Sequence, residues 1–443
     1  MPMGLQAHQE DLMGPSDDVL TSIEICAGAG GQAIGLHEAG FKHLALVEID
    51  PHAAKTLREN IKSLDAWSWE REYCDVIAGD VNDFRAIPES PDQESHVKKA
   101  QKYLGKPLSR RDLSLLAGGV PCPPFSHAGK QLGKDDERDL FPRILELADE
   151  LRPEAVMIEN VRGIKDVKFE EYRKYIEARL QGGWAKHPAT GIEEDFKGLG
   201  YEVCEWEVLE ASDFGVPQLR PRAVLVAIRK DVLGDLKFVW PTATGSPKSV
   251  FRALEESMEL RYDPYLKMGG DVARLARECL GKWKTEAKKA ENRKDFGIAP
   301  TLVGGSKKHG GADLGPSRAK AAWSLLGVSG VGVANSHEVG VRKKSQDRDL
   351  FRESGPMLTV EQAAIIQGFP DNWKFSGGKT AQYRQVGNAF PPPVAAAVGK
   401  AIADVLLAAR ERDRRKPGPA EVLPGQAGPA LADRADDRSR ARV

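Results

Sequence analysis

Three short segments carry side chains that can do covalent chemistry. Gly118-Gly-Val-Pro-Cys-Pro-Pro-Phe-Ser126 sets one thiol, Cys122, among three prolines. A packing cysteine sits inside an apolar run. One in a proline-stiffened turn has little freedom and is aimed. Its thiolate is the nucleophile, and with a free pKa of ~8.5 only a minority is ionised near neutrality unless neighbours help. Val156-Met-Ile-Glu-Asn-Val161 ends an apolar run on Glu159, a group able to move a proton. Gly215-Val-Pro-Gln-Leu-Arg-Pro-Arg222 delivers Gln218, Arg220 and Arg222 from one rigid turn, and arginines at i and i+2 of an extended chain share a side. Singly, each has a plain reading: a structural thiol, an exposed strand-end acid, a solvated basic loop. Together they make a nucleophile, an acid and two guanidinium groups, the parts of covalent catalysis.

A fourth segment concerns a ligand. Ile25-Cys-Ala-Gly-Ala-Gly-Gly31 follows an apolar run and opens a helical one. Its glycines let the backbone turn tightly and approach a bound molecule. Glu48 lies twenty positions beyond Gly28, where an acid can accept hydrogen bonds from ribose hydroxyls. Asp80 ends a further apolar run and could accept from an adenine amino group. Gly28-x-Gly30-x-x-Ala33 also fits the relaxed dinucleotide pattern, so a nicotinamide dehydrogenase competes at this point.

The elements that must position these groups alternate. Strands are predicted at 22–26, 44–48, 76–80, 113–118 and 155–159, with helical stretches between several of them, notably 140–151. That alternation predicts an α/β fold with a doubly wound, mostly parallel sheet, whose strand ends face a ligand crevice. Two further strands are expected at 205–210 and 223–229. Residues 1–19 read as a flexible leader, 20–240 and 355–408 as the catalytic body, 241–354 as a smaller loop-rich domain with weak periodicity, and 409–443 as a disordered tail rich in Arg, Asp, Pro, Ala and Gly.

Bulk properties set outer limits. The chain has 443 residues, 41% hydrophobic and 29% charged, an ordinary globular composition. No run of ~20 consecutive apolar residues is present, so no membrane span is expected. The five cysteines are scattered without C-x-x-C or Cys/His clusters; no metal site is expected, and reduced thiols in the cytoplasm are. A formal net charge of −1 is neutral on the question of nucleic acid, which needs a local basic surface.

In order along residues 22 to about 405, these segments resemble the cytosine-5 DNA methyltransferase family. Pro121–Ser126 resembles its nucleophile loop, Glu159-Asn160-Val161 its Glu-Asn-Val motif, and Gln218-x-Arg220-x-Arg222 its Gln-x-Arg-x-Arg motif. Ile366-Gln-Gly-Phe-Pro370 and Gln385-Val-Gly-Asn-Ala-Phe-Pro391 resemble its later motifs, and no dehydrogenase carries this set. The resemblance implies a class I methyltransferase fold, S-adenosylmethionine as cofactor and double-stranded DNA as substrate. Implied cofactor contacts are Cys26, Ala27, Gly28, Ala29, Gly30, Gly31, Glu48, Ile49, Asp80, Val81, Pro121, Asn388 and Ala389. In the implied reaction Cys122 adds to C6 of an extruded cytosine while Glu159 bonds to or protonates N3. Arg222 holds O2 and supports Glu159, and Arg220 helps ionise the thiol. The 241–354 region would read the DNA, with Thr301, Lys307, Lys308 and His309 joined by Ser126 and Gln218 as DNA contacts.

Two positions depart from the family. Cys26 stands where Phe is usual beside the adenine, and Pro123 where Gln is usual in the gap left by the base. Family members generally act as monomers, and those of restriction–modification systems have a cognate endonuclease. An RNA cytosine methyltransferase and an inactive DNA-binding homologue remain as alternatives; the long basic recognition region speaks against the first and the complete thiol, acid and arginine set against the second.

Overall fold

The computed structural model describes residues 18–88, 90, 92–121, 139–188, 190–245, 247–304 and 312–415. Cys122, Ser126, Lys307, Lys308 and His309 lie outside them.

The strands are β1 (Leu20–Ile25), β2 (Phe41–Glu48), β3 (Asp75–Ala78), β4 (Leu115–Gly119), β5 (Ala155–Val161), the hairpin β6 (Gly183–Lys186) and β7 (Glu193–Phe196), β8 (Tyr201–Glu210) and β9 (Pro221–Arg229). Seven form one sheet in the order β3-β2-β1-β4-β5-β9-β8. Pairings from β3 to β5 are parallel, and β9 runs antiparallel to both β5 and β8. All six residues of β1 are buried, the polar Thr21, Ser22 and Glu24 included, as the central position of the strand in a sheet covered on both faces requires. The chain leaves β1 toward β3 and returns to β4 on β1's other side. That reversal opens a crevice at the carboxyl ends of β1 and β4, the switch point of doubly wound sheets.

The region at 241–354 differs from the loop-rich expectation. It is led by two long helices, Val250–Leu266 and Gly270–Glu291, which pack on each other. Their buried stripe is Phe251, Leu254, Met258 and Tyr262 on one, and Ala273, Ala276, Trp283, Ala287 and Ala290 on the other. Alanines in half of that stripe weaken the apolar signal that marks a helix face. This core is continuous with Leu358, Val360, Ile366, Trp373 and Tyr383, so the expected boundary at 354/355 falls inside a packed unit.

The last helix, Pro392–Arg415, takes in the first seven residues of the expected tail. Its arginines are engaged: Arg410 donates to Glu154 at 2.6 Å and to the Val19 carbonyl at 3.1 Å, and Arg414 pairs with Asp18 at 2.9 Å. The segment Lys379–Arg415 is long and apolar enough by composition to cross a membrane, but more than half of its most apolar window is buried within this fold, as in a core helix.

Candidate active site

The crevice is a cleft of about 720 Å³, within the ~300–1,000 Å³ range of small-molecule sites. Its floor is the loop after β1. Cys26, Gly28 and Gly30 all take positive φ, at 53°, 55° and 94°. For Cys26 that left-handed conformation is uncommon. Gly30 caps the helix Gly31–Glu38 and backs onto the buried Trp373, whose indole N–H donates to the Ala29 carbonyl at 2.9 Å. Glu48 ends β2 and braces the loop: its two oxygens accept the N–H groups of Gly28 and Asp50, each at 2.7 Å. Each carboxylate oxygen keeps a second lone pair for a ligand. Cys26, Ala27, Gly28, Ala29, Gly31, Glu48, Ile49 and Val81 line the cleft, and Ile49 is largely exposed at its mouth. Asp80 stands at the edge of the cleft, near enough for its charge to act on Cys26. Its side chain accepts from the Asn82 N–H, while Gly79 and Val81 on either side face the cleft. Burial, then Glu48 and Glu24, push the Cys26 thiol up to about 12, so it is inert.

The opposite wall holds the acid. β5 and β9 pair with Val161 opposite Arg222, which sets Arg222 diagonally across from Glu159 on one face. The Arg222 Nε lies 2.9 Å from Glu159 Oε1. Burial raises the Glu159 carboxyl above the usual range, against the opposing pull of Arg222 and Arg220. Gly119 of β4 stands beside it, and a Cβ there would lie 3.1 Å from Glu159 Oε2, so glycine leaves the carboxyl its space. Asn160 donates to the Val120 carbonyl at 2.8 Å, fixing the chain just before Pro121, which lines the same cleft. Pro121 is the residue preceding Cys122.

Thr301, Asn388 and Ala389 complete the rim. Thr301 Oγ1 donates to the Leu219 carbonyl at 2.6 Å. Gln218, expected at DNA, is fully buried. It donates to Gln367 Oε1 at 2.8 Å and accepts from the Leu302 N–H at 2.6 Å, a tie between segments. Arg220 donates both Nη atoms to backbone carbonyls, while its Nε has no partner among the described residues; Cys122, whose thiol it was expected to help ionise, lies outside them.

Over residues 20–404 the chain matches the family model for the C-5 cytosine-specific DNA methylase. It belongs to that family. The Type II methyltransferase M.NaeI of Lentzea aerocolonigenes is 45% identical over 397 residues, 89% of this chain and 78% of that protein. The Type II methyltransferase M.NgoMIV of Neisseria gonorrhoeae is 42% identical over 388 residues, 87% and 98%. A crystal structure assigned as a prophage DNA modification methyltransferase (E. coli) superposes with a TM-score of 0.50 at 21% identity, covering 87% of this chain and 99% of that one, a likeness of fold.

The cofactor of these methylases is S-adenosylmethionine, and the cleft suits it. Glu24, Glu48 and Glu159 line the cleft together with Arg220, Arg222 and Arg384; burial raises all three carboxyls, so the cleft meets a ligand with both hydrogen-bond acceptors and donors. Several lining atoms have no partner among the described residues: Glu24 Oε2, both polar atoms of Gln32, Asn160 Oδ1 and Arg384 Nε. Buried groups of that kind normally find one.

Glu24 went unnoticed in the sequence. A lone acid inside the apolar strand Leu-Thr-Ser-Ile-Glu-Ile, one turn before a glycine loop, is the signal that would have found it. Burial, then Glu48 and Glu159, hold its carboxyl well above the ordinary range. The folded state therefore favours the neutral acid. That contribution is fully present below the unfolded-chain value of roughly 4.3 and is lost as pH rises through the folded value. Without cofactor, Glu24→Gln should melt higher than the parent at alkaline pH, with the gap closing in acid. Calorimetric melting across pH checks this; a gap independent of pH would mean that Glu24 carries no buried charge.

Proposed function

We propose that this chain methylates C5 of cytosine within one specific double-stranded DNA sequence, using Cys122 as the covalent nucleophile. The observation that carries the reading is the Glu159–Arg222 pair, held in the same cleft as the Gly28–Glu48 loop, with Pro121 on its wall. S-adenosylmethionine, when bound, supplies an electrophilic methyl group. The protein's task is to make a weakly nucleophilic carbon reactive. Sulfur of Cys122 adds to C6 as Glu159 gives its proton to N3, which lets the ring carry the incoming electron pair. Arg222 Nη2 makes no hydrogen bond among the described residues and is the donor for O2. Loss of the C5 proton to a base such as solvent water, return of the N3 proton to Glu159 and departure of the sulfur as thiolate restore the ring. The base must leave the duplex first, at a cost of a few kcal/mol.

Target reading falls to the region that begins at 241, which shares its core with residues 358–383, and the catalytic body is 20–240 with the helix Pro392–Arg415. The names of the relatives, Type II methyltransferases, support a place in a restriction–modification system; a cognate endonuclease, action as a monomer and a cytoplasmic location complete the proposal. Bisulfite sequencing of DNA from expressing cells tests the function: protected cytosines should fall in one short motif, and full conversion everywhere would refute it. Parallel assays on duplex DNA and tRNA decide against an RNA substrate.

Lys307 and Lys308 stand in the glycine-rich basic segment that follows Gly304. Replacing both with alanine should weaken DNA binding and reduce the salt slope by about two, one per lost phosphate contact. An unchanged slope in titrations from low to moderate salt removes them from the interface.

A further inference from the structure

Arg220 is a cation buried to 1% exposure at a junction of three chain segments. Its Nη1 donates to the Leu302 carbonyl at 2.6 Å. Its Nη2 donates to those of Gly387 at 2.7 Å and Ala389 at 2.9 Å. Leu302 belongs to the stem that leads into the glycine- and lysine-rich recognition segment. Gly387 and Ala389 flank Asn388, which lines the cofactor cleft. The two stretches meet with almost nothing between them. A Cβ on Gly304 would lie 2.0 Å from Asn388 Oδ1, and one on Gly387 would lie 2.6 Å from the Gly304 nitrogen. Backbones in such close contact, held by one planar donor group, cannot move separately. Burying that charge is costly, and the three carbonyls offset the cost only while both stretches stay in place.

We infer that Arg220 is a positioning residue that couples the cofactor cleft to the stem of the recognition segment, so that cofactor and target DNA raise each other's affinity. A ligand that settles Asn388 also settles residues 302–304, and DNA that settles the stem also settles Asn388. The coupling is reciprocal by linkage. A lysine at 220 keeps the charge but replaces the planar fork by a single point donor, which cannot span three carbonyls in this geometry.

The inference rests on the proposed function, and the test separates the two. S-adenosylhomocysteine is titrated calorimetrically into the full chain, with and without a duplex carrying the mapped site. The parent should bind it roughly 5- to 150-fold tighter with the duplex, the usual span of allosteric coupling. Arg220→Lys should reduce that ratio to about twofold or less while still melting cooperatively. A parent ratio near one, or an Arg220→Lys ratio equal to the parent's, overturns the inference. If Arg220→Lys does not fold, hydrogen exchange on the parent decides: S-adenosylhomocysteine alone should slow the Leu302 and Val303 amides several-fold, and unchanged exchange there overturns it. Methylation of the same duplex is measured alongside. Failure to methylate counts against the proposed function, and methylation without coupling counts against Arg220 alone.

Discussion

Cys122→Ala abolishes methyl transfer, by a factor on the order of 10⁴ or more, the scale on which enzymes lose rate when a covalent nucleophile is removed, and leaves duplex binding within a few-fold of the parent. The thiol is the one group here able to form the bond to C6. The remaining machinery, including the Glu159–Arg222 pair at 2.9 Å, can stabilise the attacked ring but cannot attack it. DNA affinity comes mainly from phosphate contacts, which the substitution does not touch. Transfer of labelled methyl groups and gel shifts measure the two halves. Turnover within tenfold of the parent would remove Cys122 from the mechanism, since burial raises each of the other four thiols: Cys26 to about 12, Cys204 to about 11, Cys74 well up and Cys279 upward.

Glu159→Gln should cost about 10²- to 10⁴-fold in kcat, the usual worth of a positioned general acid. Glutamine can still accept from Arg222 but has no proton to give to N3. Burial raises the Glu159 carboxyl, so the enzyme keeps its acid form to higher pH than an exposed glutamate would. Two limbs follow for the parent. Rate rises with pH as the thiol ionises and falls as Glu159 loses its proton. The glutamine variant should keep the first limb and lose the second. A pH–rate profile for each checks this, and a surviving alkaline limb in the variant would assign it to another group.

Much of the catalytic body was readable in the amino-acid order because buried strands are written as apolar runs, and because Glu159 closes one such run while Arg222 opens another. Their pairing follows from register alone. Other features were hidden for physical reasons. The functions of Gln218 and Arg220 depend on partners 82 to 169 positions away, and a guanidinium that faces a cleft looks the same in a sequence as one that clasps its own backbone. Helices at 250–291 were masked by a lysine-rich exterior and an alanine-rich buried stripe. The arginines of the final turns resembled low-complexity sequence until Glu154, Val19 and Asp18 supplied their partners.

Asp18 and Arg414 touch, so the two ends of the folded body adjoin. A short peptide joining them would close the polypeptide into a ring without bending any strand. New ends could then be opened between β6 and β7, a hairpin none of whose described residues lines the crevice, giving a circularly permuted enzyme. The same adjacency suits a two-fragment reporter: severed between β9 and the helix at Val250–Leu266, the halves would share so much interior that each serves as the template on which the other folds.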